Sequence, residues 1–226
     1  MDDVCDEPAL RGAAGSAPDA DFGGVWGEPA LAGAAAAEAE RKRHRAWLDG
    51  QWSGTPGKAR HGVFFLLCVF SGLAAVVCAI LKTSVELGML ALVIAAPLAE
   101  ETGKSILPLM VLEKRPWLFG SYSSIVLVGA LSGVVFASVE NVLYFFMYIP
   151  ADELTAGTVL WRLTVCTALH IGCAALACSG LACAWKRARD MRAEFEMSAA
   201  LPRIVAAIAV HGLYNFGALL YAIASR

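Results

Sequence analysis

Residues 62–81 read GVFFLLCVFSGLAAVVCAIL, twenty positions without a charged side chain. At about 1.5 Å of rise per residue this is a helix of roughly 30 Å, the thickness of a bilayer's hydrocarbon core. Outward from it, four more runs of similar length follow at about 86–112, 122–149, 158–185 and 203–224. The expected fold class is therefore an all-α polytopic membrane protein, a bundle of about five transmembrane helices. Composition agrees: 58% of the 226 residues are hydrophobic and 17% charged, with mean hydropathy +0.60. Soluble domains run nearer ~45–50% and ~25%. The net charge of −2 is too small to argue for or against a nucleic-acid partner, and the lack of a basic stripe interleaved with aromatics counts against one. Six of the seven cysteines lie inside the apolar runs and no CxxC occurs, so they read as small hydrophobes, with no disulfide framework and no Cys-based zinc site.

The chain divides in two: a tail over 1–60 and a membrane domain over 62–224. Positions 1–40 carry nine acids and one base among Ala, Gly and Pro; positions 41–60 carry six bases and one acid. Residues 34–47 have the composition of a short helix. The remainder of the tail reads as disordered, too poor in apolar surface to offset the entropy of ordering, and its acidic start is unlike a signal peptide. Lys and Arg set the orientation. Thirteen fall on the N-terminal side of the membrane, between 41 and 60, at Lys114 and Arg115, and between 186 and 203. Three, Lys82, Arg162 and Arg226, fall on the other. The expected product is an integral protein of the bacterial cytoplasmic membrane with residues 1–60 in the cytoplasm.

Only the first span is clean. The second holds Glu100, Glu101 and Lys104, the third Glu140, the fourth His170 and the fifth His211. A charge at mid-bilayer costs ~2.5–3.5 kcal/mol even on lenient insertion scales. Counted along their helices, these groups fall within about 6 Å of one layer. The economical arrangement is a single polar cavity in which they face each other. Gly129, Gly133, Ala137, Glu140 and Tyr144 form one stripe on the third span, small residues that allow close helix approach and end at an acid. Ala207, His211, Asn215 and Ala218 form another on the fifth. Pro97, just before the glutamates, removes a backbone bond and predicts a kink that admits water.

Four motifs now stand in order on successive spans. Residues 96–104 read APLAEETGK, an APxxEExxK pattern; 136–144 read FASVENVLY, an FxxxENxxY pattern; His170 follows; and 211–215 read HGLYN, an HxxxN pattern. Over about 62–224 the chain resembles the PrsW family of glutamic-type intramembrane proteases, within the wider group of CAAX prenyl endopeptidases and Abi proteins. Asn141 or Tyr144 stands where that family often has a further acid, and Asn215 where it often has Asp. The resemblance implies an intramembrane endopeptidase acting on membrane-embedded or membrane-proximal proteins, with an anti-sigma factor or another signalling protein as substrate.

The residues suit such chemistry. A carboxylate in a water-poor cavity can serve as a general base near neutral pH. A neutral His and an amide can donate to the oxyanion of a tetrahedral intermediate, each donor contributing ~3–4 kcal/mol. The expected catalytic set is Glu100, Glu101, Glu140, His170, His211 and Asn215, supported by Lys104, Asn141 and Tyr144, with no cofactor. Lys104, one turn from Glu100, would keep one acid of the pair ionised. Two alternatives stand beside this. Glu140, His170 and His211 could ligate zinc in a metal-dependent protease, although no HExxH occurs. Buried Glu, His and Lys also build proton-coupled transporters and channels, although five spans without an inverted repeat do not resemble a carrier.

Overall fold

The computed structural model describes residues 28–82, 88–191 and 195–224. Its helices are α1 (Glu28–Gly54), α2 (Gly57–Lys82), α3 (Ala96–Lys114), α4 (Tyr122–Leu143), α5 (Ala156–Trp161), α6 (Thr167–Met191) and α7 (Met197–Ala224). Three π-helical turns join them: Ala91–Ala95 leads into α3, Tyr144–Tyr148 extends α4, and Arg162–Cys166 links α5 to α6. No strand occurs among the described residues.

Four stretches are long and apolar enough to cross a membrane: Gly57–Ile80, Tyr122–Tyr148, Ala156–Asp190 and Met197–Ala224. The fifth expected span, that of α3, forms a helix but falls short on composition, because Glu100, Glu101, Lys104, Glu113 and Lys114 lie on it. Position compensates for composition. α3 packs against α2, α4, α6 and α7, and Glu100, Glu101 and Lys104 are at most 3% exposed. The outer surface is the reverse: Phe65, Phe70, Val77, Phe146 and Leu213 are all exposed. Apolar outside and charged inside is the arrangement a lipid solvent selects, and helices satisfy their own backbone within it. The protein is an integral membrane protein.

α4 and α6 pack backbone against backbone. A Cβ added at Gly129 would lie 2.5 Å from the Ala174 carbonyl oxygen, and one at Gly133 2.6 Å from that of His170. The small stripe therefore brings α4 backbone onto α6 backbone and fixes His170 beside Glu140. Cys68, Cys166, Cys173 and Cys178 are buried free thiols, used as small apolar packing units.

The N-terminal reading needs one correction. Residues 1–27 lie outside the described residues. From Glu28, however, the chain is helical to Gly54, well beyond the short helix expected over 34–47. Alanine is the best helix former, and Glu38 pairs with Arg41 at 2.8 Å and with Lys42 at 4.0 Å. The helix docks through Leu48, which is buried, and through Trp47, edge-on to Trp117 at 5.6 Å. Asp49 meets Arg189 at 2.6 Å. α1 thus sits at the end of the bundle where α3 stops and α4 starts.

Candidate active site

α3, α4, α6 and α7 each deliver ionisable side chains to one buried cluster. Lys104 Nζ lies 2.7 Å from Glu101 Oε1 and 3.2 Å from His170 Nδ1. His170 Nε2 is 3.0 Å from Glu140 Oε2. His211 Nδ1 is 2.9 Å from Glu101 Oε1, and its Nε2 is 3.7 Å from Glu100 Oε2. The imidazole rings of His170 and His211 meet edge to face at 4.9 Å. Phe136 closes the floor, edge-on to His170 at 4.8 Å and 4.3 Å beneath Lys104 Nζ. Five of the six residues expected to be catalytic therefore meet at one depth, with Lys104 among them.

Each histidine is held by a carboxylate, His211 by Glu101 and His170 by Glu140. Such pairing fixes a ring's orientation and tautomer. Lys104 pairs with Glu101, three residues before it, rather than with Glu100 as the one-turn spacing suggested. Its position between Glu101 and His170 makes it the internal counter-charge of the cluster.

Asn215 stands apart. Its Nδ2 donates to the Leu92 carbonyl at 3.0 Å. That carbonyl belongs to the wide turn just before Pro97, which has no N–H to contribute. Asn215 thus satisfies backbone that the turn releases. Asn141 and Tyr144 serve Arg162, which the sequence reading counts only towards membrane orientation. Arg162 donates from NH2 to Glu140 Oε2 at 2.8 Å and from Nε to Asn141 Oδ1 at 3.0 Å, and its guanidinium lies 3.4 Å over the Tyr144 ring. The signal was present: Arg162 falls five positions into the fourth apolar run, where a charge needs a partner. Thr167 was also missed; its hydroxyl donates to the Arg162 carbonyl at 3.1 Å.

A cavity of about 130 Å³ reaches this cluster from the side, with Glu100 and Glu140 in its wall. Acids, imidazoles and an access route thus coincide on the four motif-bearing helices. The sequence model described as PrsW family intramembrane metalloprotease matches residues 57–225. The chain belongs to the PrsW family. It is accordingly a peptidase, and its substrates lie in or at the bilayer. No curated protein and no solved structure matches the chain.

The description of the PrsW family includes a metal, and the residues present fit one. Glu100, His170 and His211 each offer a ligand atom, and these atoms lie within 4.8 Å of one another, all buried. A carboxylate with two imidazoles is a donor set that catalytic zinc uses, and the Glu101–His211 contact is the outer support such a ligand commonly has. The set differs from the one expected. Glu100 takes the place of Glu140, whose carboxylate is engaged by Arg162 and His170.

Proposed function

We propose that this PrsW-family protein cleaves peptide bonds in single-span or membrane-proximal protein substrates, with Glu100 as the general base that activates water. The observation that carries this reading is the cavity wall. Glu100 borders the space a water and a peptide carbonyl would occupy, whereas Glu101 is fully buried and committed to Lys104 and His211. Glu101 is then a positioning carboxylate. It orients His211, whose Nε2 can donate toward the developing oxyanion only when that nitrogen also carries a proton. Glu100 then returns the proton taken from water to the leaving amine, while His170, held between Lys104 and Glu140, lies on the other side of the cluster. Lys104 balances the charge of the acids in a medium where an uncompensated carboxylate would be costly. Donors fixed before reaction in a water-poor site contribute ~3–4 kcal/mol each. We further propose that the N-terminal segment faces the cytoplasm, on the thirteen-to-three Lys/Arg asymmetry, and that regulatory proteins of the anti-sigma class are suitable substrates.

A second reading is favoured by the Glu100, His170 and His211 grouping: these three would hold a divalent metal ion, which when bound polarises the peptide carbonyl and acidifies water. In that case His170 yields one of its two present partners, and Glu140 or Lys104 must move with it.

The test is co-expression with single-span reporter proteins, with cleavage read by immunoblot. Glu100→Gln keeps size and hydrogen bonding but cannot take a proton. It should leave the protein inserted and folded and lower cleavage at least ~10²-fold, the scale for losing a general base. Parent-like cleavage by this variant would remove Glu100 as base. Chelation of the purified enzyme, with metal content measured in parallel, separates the two readings. Activity that survives metal removal supports the glutamate route; activity restored only by added metal supports the second.

A further inference from the structure

The cavity beside the cluster has a defined shape and origin. α2 is pinned to the bundle at its middle. A Cβ on Gly72 would lie 2.7 Å from the Ser132 carbonyl oxygen, and one on Gly103 would lie 2.6 Å from the Ala75 Cα. One residue past Ala75 the contact ends and the cavity begins. Val76, Ala79 and Ile80 of α2 form one wall, and Phe136 and Leu143 of α4 the other. Tyr148, in the π-helical turn after α4, borders the lip and is half exposed, as is Ile80. The opening therefore faces outward between α2 and α4, towards the end of the bundle opposite α1. Its inner limit is Glu100 and Glu140.

We propose that this cavity is the subsite for one substrate side chain next to the scissile bond, and that it selects a medium apolar residue, Ala to Leu in size. This rests on the protease reading above. Three observations specify the occupant. The side walls are aliphatic and aromatic, so a polar side chain lying along them would lose its water without gaining a partner there, and an acidic one would also meet the like charge of Glu100 and Glu140 at the inner limit. The volume, about 130 Å³, is close to the ~150 Å³ of an engineered apolar cavity that takes up benzene. Val or Leu fills it, and the Trp indole exceeds it. Among the described residues, the polar groups at its inner wall are the two carboxylates and the Tyr144 hydroxyl, so the backbone of a seated residue comes to lie at the reacting groups. The opening also dictates the form of the substrate. A helix is about 10–12 Å across with its side chains, too bulky for a cavity of about 130 Å³. The segment must enter unwound, from the juxtamembrane stretch near the face opposite α1, where helix ends fray.

The experiment uses the full-length chain in proteoliposomes and single-span reporters carrying Gly, Ala, Val, Leu, Phe or Trp in turn at each juxtamembrane position. Cleavage sites are mapped by mass spectrometry. The parent should cut beside Ala, Val or Leu at least about tenfold faster than beside Trp, the scale on which an apolar pocket discriminates size. Ala79→Phe fills the cavity and should lower cleavage beside Leu at least about tenfold while leaving cleavage beside Gly or Ala within about threefold; Ala79→Val should fall between. An unchanged preference, or an equal loss for every residue, overturns the proposal. A second arm does not depend on chemistry. Cys78→Ser/Ala79→Cys is oxidatively cross-linked to reporters bearing a single Cys along the same stretch. Cross-links confined to the juxtamembrane positions support the subsite even where no reporter is cut, and then it is the catalytic reading that fails. Absence of cross-links at those positions overturns the subsite even where cleavage occurs.

Discussion

Arg162 and Asn215 divide the site into groups that support chemistry and groups that support backbone. Arg162 grips Glu140 through NH2 and Asn141 through Nε, and so fixes the carboxylate that fixes His170. Arg162→Gln should keep the fold and lower cleavage by about 10–100-fold, the usual cost of removing an outer-layer partner of a catalytic group. Arg162→Lys should recover only part, since a point charge cannot reproduce the two-atom grip. Cleavage assays on matched amounts of inserted protein decide this, and full activity in both variants would leave Arg162 a surface anchor. Asn215 is predicted to behave in the opposite way. Its amide serves the Leu92 carbonyl, so Asn215→Ala should lower stability by ~1 kcal/mol and leave turnover within about threefold. A large loss of turnover at unchanged thermal stability would return Asn215 to the oxyanion role that its spacing from His211 suggested. The cluster itself was legible because each member violates the cost of a charge in lipid. Glu100, Glu101, Glu140, His170 and His211 could be found by that rule alone. Arg162 obeys the same rule but lies near a helix start, where counting charges for topology and counting them for chemistry give different answers. The Lys104 partner was not legible, because i,i+3 and i,i+4 acids are both within reach and only packing chooses between them.

At the scale of elements, glycine contacts and π-helical turns set the registers that bring the acids together. The turns at Ala91–Ala95, Tyr144–Tyr148 and Arg162–Cys166 each lie within three turns of a site residue, and such widened turns are frequent at functional sites. The first leads into α3 and leaves the Leu92 carbonyl to Asn215, and the third presents the Arg162 carbonyl to the Thr167 hydroxyl and the Asn141 amide as well. Nothing in a uniformly apolar run betrays one extra residue in a turn, so the spans were legible and these turns were not. The glycine stripe was legible, and it makes a sharp prediction. Gly133→Ala would place a methyl 2.6 Å from the His170 carbonyl oxygen and 2.8 Å from the Ile171 Cα. Backbone atoms cannot rotate away, so α4 and α6 must separate and carry His170 off Glu140. Overpacking of this kind costs ~1–3 kcal/mol, and cleavage should fall with it. Gly217→Ala is the control: no atom lies within 4 Å of its added Cβ, and alanine favours helix over glycine. Equal thermal stability of the two variants in detergent would mean that the α4–α6 contact is not a constraint.

At the scale of the whole molecule, two asymmetries run along the same axis. Basic residues gather where α1 docks, at Arg41, Lys42, Arg43, Arg45, Lys58, Arg60, Lys114 and Arg115. The cavity opens at the opposite end, beyond Ala79 and Tyr148. Lys and Arg are retained on the cytoplasmic side during insertion, so the proposed orientation would put α1 in the cytoplasm and the opening near the outer leaflet. Substrate would then be cut towards the outer end of its span. The expected outcome in right-side-out vesicles is that added protease leaves α1 intact and that permeabilisation exposes it. A substrate reporter tagged at both ends should release its outer domain first, leaving a membrane-held stub. An α1 digestible from outside would invert the axis, and the same opening would then admit substrates from the cytoplasmic leaflet. The internal geometry does not depend on that choice, because the contacts that join Glu101, Lys104, His170 and His211 are all made inside the bundle. Orientation decides which segment of a substrate arrives at the site, while the four helices decide what happens to it there.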